Sequence, residues 1–393
     1  MKKHTTAFVF FFVLLTQFSY SQNVKVLKII SVQNSIDVAR EHETVELDRK
    51  LLGLSKEIKL SDLSIRIVGS NDLITTQAID ENGDGIEDML LFQPVVKANT
   101  TVKFEVVALK NPAVSEMYCY SKFVPERIDD YAWENNKVAF RTYGPTAQRL
   151  VDEKQNGGTL SSGIDAWMKR VEYPIIDKWY ENFINKTGTY HEDTGEGLDN
   201  FHVGDSRGIG GIAIKRDTVY HASKNFVSWK TIANGPIRTC FQLSYADWDI
   251  DGNTITETKK ISLDYGSFLY KDEITIKGTN AVAIGLTLHK NTGKTDYNAK
   301  QGWMSYWETS GDSELGTGVI VRNPILGYDK IEKSKNPDLL NSYINAKVKN
   351  NKVTFYGGFG WKKQGTFLNN EQWTDYLRQF SRKLDNPLII KVK

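Results

Sequence analysis

Ile237-Arg238-Thr239-Cys240-Phe241-Gln242-Leu243-Ser244-Tyr245, then the turn signal Asp251-Gly252-Asn253, then Thr254-Ile255-Thr256-Glu257-Thr258-Lys259-Lys260-Ile261-Ser262-Leu263, is the stretch that decides the fold class. Both runs are alternating and rich in β-branched residues, which suit a pleated, half-buried surface. Working outward, runs of the same kind recur at Val24–Val32, Ser64–Val68, Thr101–Ala108, Lys137–Arg141, Glu273–Ile276, Val282–Leu288, Gly318–Val321 and Lys352–Tyr356. Turn signals at Asn82-Gly83, Asn234-Gly235-Pro236 and Asn350-Asn351 punctuate them. Helical pattern is confined to Gly163–Trp179, broken at Pro174, and Asn370–Asp385. The pattern predicts an all-β chain with few helices.

The N-terminus reads as a secretory signal over residues 1–21. Lys2 and Lys3 are a positive start, Ala7 to Leu15 is unbroken apolar sequence, and Ser19 and Ser21 put small residues before a cleavage site at Gln22. The apolar run is shorter than the ~20 residues a bilayer span needs. The expectation is a periplasmic or secreted protein with no membrane insertion after signal removal. A boundary is expected near Leu109–Val114, where Asn111-Pro112 interrupts the strands. Residues 22–110 then form a small N-terminal β-sandwich region, and 111–393 a large β-sandwich catalytic domain.

The net charge of +2 gives no drive toward nucleic acid. Nine Trp, 18 Tyr and 18 Phe are many for this length and suit either strands or stacking on sugar rings. Cys119 and Cys240 are compatible with a disulfide in an exported protein or with two buried thiols. The chain has no GxSxG, P-loop, HExxH or Rossmann fingerprint, which argues against the common serine hydrolases, nucleotide triphosphatases, metalloproteases and nucleotide oxidoreductases.

Three segments carry candidate chemistry. Asp80-Glu81-Asn82-Gly83-Asp84-Gly85-Ile86-Glu87-Asp88 resembles the start of a calcium loop, with Asp80, Asn82, Asp84 and Asp88 as ligands of a structural calcium, but Leu91 stands where the bidentate Glu belongs. The competing reading is a hairpin turn capped by its own Asp and Asn side chains. The segment from Tyr190 to Gly211 gathers His191, His202, Glu192, Asp193, Glu196, Asp199, Asp205 and Arg207 among six glycines. Such a segment offers acid–base groups on a backbone able to approach a ligand closely. In the third, Tyr131 to Pro145, strand alternation places Arg141 and Tyr143 on one face. Arginine can clamp a carboxylate bidentately. Trp133 from this segment, Trp303 beside Tyr306 and Trp307, and Arg170 are further candidates for substrate binding.

At these segments the chain resembles a known family. Asp130-Tyr131-Ala132-Trp133-Glu134-Asn135 with Ala139-Phe140-Arg141-x-Tyr143-Gly144-Pro145, Gly163-Ile164-Asp165-Ala166-Trp167 with Lys169 to Pro174, Tyr190-His191-Glu192-Asp193 with Gly195 to Asp199, and Val203-Gly204 with Gly208-x-Gly210-Gly211 look like the secreted bacterial family of domain of unknown function 4861. His202 departs from the family pattern. The resemblance implies an ulvan oligosaccharide dehydratase activity. This removes water from a non-reducing-end glucuronate or iduronate on sulfated rhamnose and leaves a 4,5-unsaturated uronate.

That reaction requires the carboxylate to be neutralised, a base for the C5 proton and an acid for the C4 hydroxyl. The expected roles are Arg141 at the carboxylate, with Arg170 or Arg207 as substitutes, and His191 as base with Tyr143 as acid or the two exchanged, with Trp133, Trp303, Arg170, His202 and Arg207 contacting an anionic uronate-containing oligosaccharide. The sequence reading is therefore a large two-sheet antiparallel sandwich (supersandwich, mutarotase-like) with a small N-terminal Ig-like region, acting as a carbon–oxygen lyase. Rivals are a uronate polysaccharide lyase, a non-catalytic carbohydrate-binding sandwich, and a glycoside hydrolase using Glu192, Asp193, Glu196 and Asp199.

Overall fold

The two runs quoted first form adjacent antiparallel strands, Arg238–Tyr245 and Asn253–Asp264, with Phe241 opposite Ile261. They are the seed of a nine-stranded sheet. Beyond Asn253–Asp264 come Leu269–Lys277, Lys352–Trp361, Ser313–Val321, Trp303–Ser310 and Lys294–Asn298, and Phe226–Ala233 lies on the other edge. A five-stranded antiparallel sheet built on Ile209–Arg216, Ala281–Thr287 and Asn341–Lys347 faces it. Phe241, Ile274 and Phe355 from the first sheet and Ile212, Ile284 and Ile344 from the second share one core. Each fully buried large apolar side chain contributes roughly 1.5–3 kcal/mol there. The fold is thus the antiparallel β-sandwich that the alternation dictates.

This computed structural model describes residues 25–109 and 115–393. The signal segment and most of the expected domain boundary lie outside the described residues. No helix among the described residues is long and apolar enough to cross a membrane. Residues 25–109 form two small sheets, one of Val26–Gln33, Thr101–Ala108, Leu63–Ile67 and Leu73–Ile74, the other of Val45–Asp48, Met89–Phe92 and Thr76–Ile79, closed over their own core. The last strand, Ile389–Val392, returns to pair with Val26–Gln33, so the N-terminal unit is completed by the C-terminus.

The expected helix Asn370–Asp385 forms as read. Its Trp373 and Leu377 lie against Gly316 and Gly318, where a side chain would collide with the rings and methyls. The other helical expectation, Gly163–Trp179, is corrected. Asp165–Lys169 is a strand, and the helix is Ile176–Ile184, after Pro174. Pairing decided this. Asp165–Lys169 joins a third sheet with Ala139–Thr142, Asp130–Glu134 and Tyr120–Val124, all antiparallel. The Glu134 carboxylate accepts from the Ile175 and Ile176 amides at 2.8–3.0 Å, and the buried Lys169 ammonium donates to it at 2.6 Å. One carboxylate therefore caps the helix start, where free amides favour negative charge. Cys119 and Cys240 are free buried thiols.

Candidate active site

The third sheet is buried on both faces, and its alternation sorts the candidates. Phe140 pairs with Trp133 on the face toward the nine-stranded sheet, and Trp133 also packs against Phe241 and Tyr270. Trp133 is fully buried, so it belongs to the core and is removed from the substrate-binding list. The opposite face carries Arg141, whose cross-strand neighbour is Asp165. The Arg141 guanidinium sits among three rings, 5.0 Å from Trp167, 5.4 Å from Tyr143 and 5.9 Å from Tyr190.

Three carboxylates hold that guanidinium. Nη2 donates to Asp165 Oδ2 at 2.5 Å and to Asp199 Oδ2 at 2.9 Å, and Nε to Asp165 Oδ2 at 3.0 Å. Nη1 is 3.6 Å from Asp130 Oδ2 and 3.4 Å from the Tyr190 hydroxyl. Burial works against the Arg141 charge, but Asp165, Asp199, Tyr143 and Asp130 together hold its pKa above the ordinary range. The carboxyls respond in the other direction. Burial, then the neighbouring Asp199, pushes Asp165 well up. Burial raises Asp199 as well, and takes Asp130 to about 6. Three carboxyls, all pushed up by burial, therefore surround one cation, and the centre is an acid-rich cluster balanced by Arg141. Arg141, expected to meet a sugar carboxylate, is thus already engaged by the protein's own carboxyl groups.

The cluster opens on a cleft of about 510 Å³ lined by Arg141, Tyr143, His191, Asp199, His202 and Asp205, among others. Arg141 and the His191 segment therefore share one cavity, as the proposed chemistry needed. Tyr143 is buried, its hydroxyl 3.4 Å from Asp165 Oδ2, and burial followed by the Asp165 charge pushes its pKa well up. His191 is half exposed. Its Nδ1 lies 2.9 Å from the Asp199 carbonyl oxygen. A carbonyl only accepts, so Nδ1 carries the hydrogen and neutral His191 presents its lone pair at Nε2.

Other candidates fall elsewhere. Arg207 is buried and donates to Ser162 Oγ, the Ile212 carbonyl and the Asp205 carbonyl, so it anchors the loop instead of clamping a ligand. Arg170 pairs with Asp193 at 3.1 Å and does not line the cleft. Trp303 is 7% exposed with its indole N–H on Gln301, and Tyr306 is fully buried. The expected stacking platform is core packing. His202 does line the cleft, its Nε2 3.0 Å from Asp338 Oδ1.

In the Asp80 loop, Asp80 accepts from the Gly83 and Gly85 amides at 2.7 and 2.8 Å, Asn82 from Asp84, Asp84 from Ile86, and Asp88 from Glu81. The Lys230 ammonium sits on the Asn82 carbonyl at 3.1 Å. The proposed calcium ligands are committed to their own backbone, and a cation already lies beside them. The loop is a self-capped turn between Thr76–Ile79 and Met89–Phe92. Among the described residues, no group of three or more His, Cys, Asp or Glu is arranged to hold a metal ion.

Asp130 and Asp165 were given no role from sequence, and Asp199 only one as a carboxylate of the rival hydrolase. The signal was present, because a strand at Asp165–Lys169 paired with Ala139–Thr142 puts Asp165 opposite Arg141. The helical reading of that segment concealed it.

Comparison with known proteins places the chain. A protein of Formosa agariphila described as "Uncharacterized protein P7" is 48% identical over 369 residues, covering 93% of each chain. A protein in the glycosyl hydrolase family 38 from Enterococcus faecalis aligns with a TM-score of 0.49 at 9% identity, over 93% of this chain and 47% of that one, so this chain spans about half of its length. The family model described as Domain of unknown function (DUF4861) matches residues 32–390, and with a 48% identical relative aligned along nearly its whole length, the chain belongs to the DUF4861 family.

Proposed function

We propose that the protein is a carbohydrate-active carbon–oxygen lyase, a dehydratase acting outside the cytoplasm on the terminal uronate of ulvan-type sulfated oligosaccharides. The observation that supports this reading is the meeting of His191, Tyr143, Asp199 and Arg141 in one cleft, with the His191 ring tied through Nδ1 so that Nε2 is the basic nitrogen.

The sugar carboxylate docks on the cleft side of Arg141, where the guanidinium lines the cavity beside Tyr143 and Asp199. The guanidinium stabilises charge that develops on the carboxylate as the C5 proton leaves. His191 Nε2 takes that proton, the C5 electrons form the C4–C5 double bond, and the C4 hydroxyl departs as water with a proton from an acid in the cleft. Tyr143 on the floor and His202 on the wall both carry hydrogens suited to that step.

Incubation with uronate-terminated oligosaccharides tests the reading. The expected result is the ultraviolet absorbance of a conjugated enol-ether carboxylate and a mass reduced by one water with the chain intact. Two fragments would identify a polysaccharide lyase, and a saturated reducing sugar a hydrolase. His191→Ala should abolish the signal, with the fold retained by circular dichroism. Unchanged turnover in that variant removes His191 as the base.

A further inference from the structure

We propose that His202, oriented by Asp338, is the general acid that protonates the leaving C4 hydroxyl, with Tyr143 a positioning residue on the cleft floor. This inference rests on the dehydratase reading above.

Three tethers build the His202 site. Asp338 Oδ1 accepts from His202 Nε2 at 3.0 Å, and its Oδ2 accepts from the Asp205 amide at 3.0 Å. The His202 carbonyl accepts from His289 Nε2 at 3.0 Å, and His289 Nδ1 lies 2.5 Å from Glu308. Asp338 stands at a one-turn helix whose preceding residue, Asn336, accepts from its amide and also donates to the Asp205 carboxylate. Between them, Gly204 adopts φ +49°, and a Cβ there would fall 1.9 Å from Asp338 Oδ2 and 2.8 Å from His202 Nε2. The pair exists only because position 204 has no side chain.

Stability does not account for this construction. The His202 side chain is 70% exposed, and an exposed ion pair adds little to stability. Catalysis does account for it. A carboxylate on Nε2 fixes the ring with Nε2–H toward Asp338, which leaves Nδ1 as the nitrogen free to pass a proton in the cleft. The two cleft imidazoles are tied in complementary orientations, His191 through Nδ1 with Nε2 free, and His202 through Nε2 with Nδ1 free. Tyr143 is the poorer donor, because its hydroxyl is buried beside Asp165 and its proton is held tightly. In one turnover His191 gains the C5 proton, His202 loses Nδ1–H to the departing hydroxyl, one water is released, and solvent exchange restores both rings.

The test compares two substrates that differ only at C4. One carries the natural hydroxyl, and the other carries a nitrophenoxy group, which leaves as a stable anion without a proton. Removing a general acid costs about 10²–10⁴-fold. His202→Gln should lose that factor in kcat on the hydroxyl substrate and stay within a few-fold of wild type on the nitrophenoxy substrate. Asp338→Asn should show the same selectivity with a smaller loss. Equal losses on both substrates, or turnover of the hydroxyl substrate within two-fold of wild type, would overturn the assignment while leaving the dehydratase reading intact. A wild-type protein that forms no unsaturated product from either substrate overturns both.

Discussion

Two clusters of ionisable residues are buried in this protein, and they are built differently. Around Arg141, the oxygens of Asp165 and Asp199 receive its N–H groups, Tyr180 donates to Asp130, and the whole assembly opens on the cleft. Between the sandwich sheets, Glu257, Lys259 and Asp272 face inward from Asn253–Asp264 and Leu269–Lys277, each at most 2% exposed. Lys259 Nζ is 3.3 Å from Glu257 Oε1 without hydrogen-bond geometry, and 4.7 Å from the Tyr245 ring. Both oxygens of Glu257 and of Asp272 lack a hydrogen-bond partner. Burial and perturbed pKa values mark both clusters, so neither property alone identifies a functional site. Asp130 Oδ1 and Asp165 Oδ1 of the Arg141 cluster lack a partner as well, so it is the arginine's direct hydrogen bonds and access to a cavity that separate the two.

Removing Arg141 should give the largest effect. Arg141→Met leaves Asp130, Asp165 and Asp199 facing one another in a dry site, and removing one partner of a buried ion pair costs about 3–5 kcal/mol. Urea unfolding should show a loss of that order, and product formation should disappear. A variant of near wild-type stability would mean that the carboxyls are fully neutral without the arginine, which would erase the contrast between the two clusters.

The core cluster should behave in the opposite sense. Replacing all three residues together, Glu257→Leu, Lys259→Met and Asp272→Leu, removes every charge at once. Such replacements are often neutral or stabilising by about 1–4 kcal/mol. Unfolding should move to higher urea with turnover unchanged. Lost activity in a folded triple variant would show that the core cluster communicates with the cleft.

The same cluster sets a pH dependence. In the unfolded chain Asp272 releases its proton in the ordinary carboxylate range, whereas burial, opposed by Lys259 and aided by Glu257, holds it to about 8 in the fold. Between those values the folded state binds more protons than the unfolded state, so stability present at low pH is lost as pH rises toward 8. Asp130, pushed to about 6, adds the same trend over a narrower window. Asp272→Asn should therefore flatten the fall in stability across this range by up to about 1.4 kcal/mol per pH unit. Thermal unfolding at pH 5 and pH 8 measures it, and an unchanged slope would place the titration elsewhere.

Local pattern made the sandwich legible. Thr101–Ala108 and Asn370–Asp385 have the same bounds in the sequence reading and in the fold, because alternation and helical period decide such elements without help from distant residues. Arg141, Tyr143 and His191 were legible as cleft residues for a related reason, since strand alternation and a glycine-rich segment are local signals. The partners were not. Asp165 reaches Arg141 only through strand pairing, Asp199 through a turn back from Tyr190, and Asp338 reaches His202 across 136 residues. Trp133 and Trp303 failed as sugar platforms because composition reports that aromatics are present, and only the sheet's two faces decide which are covered.

The Asp80 loop gives the smallest expected effect and sharpens the contrast from a third side. Its carboxylates are exposed and satisfied, whereas those of Glu257 and Asp272 are buried and unsatisfied. Backbone donors, Gly85 first, hold the Asp80 pKa below the usual carboxylate range, so the loop is already charged and capped without an added ion. Asp80→Ala removes two amide–carboxylate bonds whose amides can turn to water instead, and should lower the thermal midpoint only slightly. That lowering should be the same in calcium and in chelator, since a ligand that binds the fold stabilises it only where a site exists. Wild-type thermal midpoints should likewise agree in the two buffers to within about 1 °C. A calcium-dependent midpoint that Asp80→Ala abolishes would mean that the ion displaces the Gly83 and Gly85 amides, and would restore the loop as a metal site.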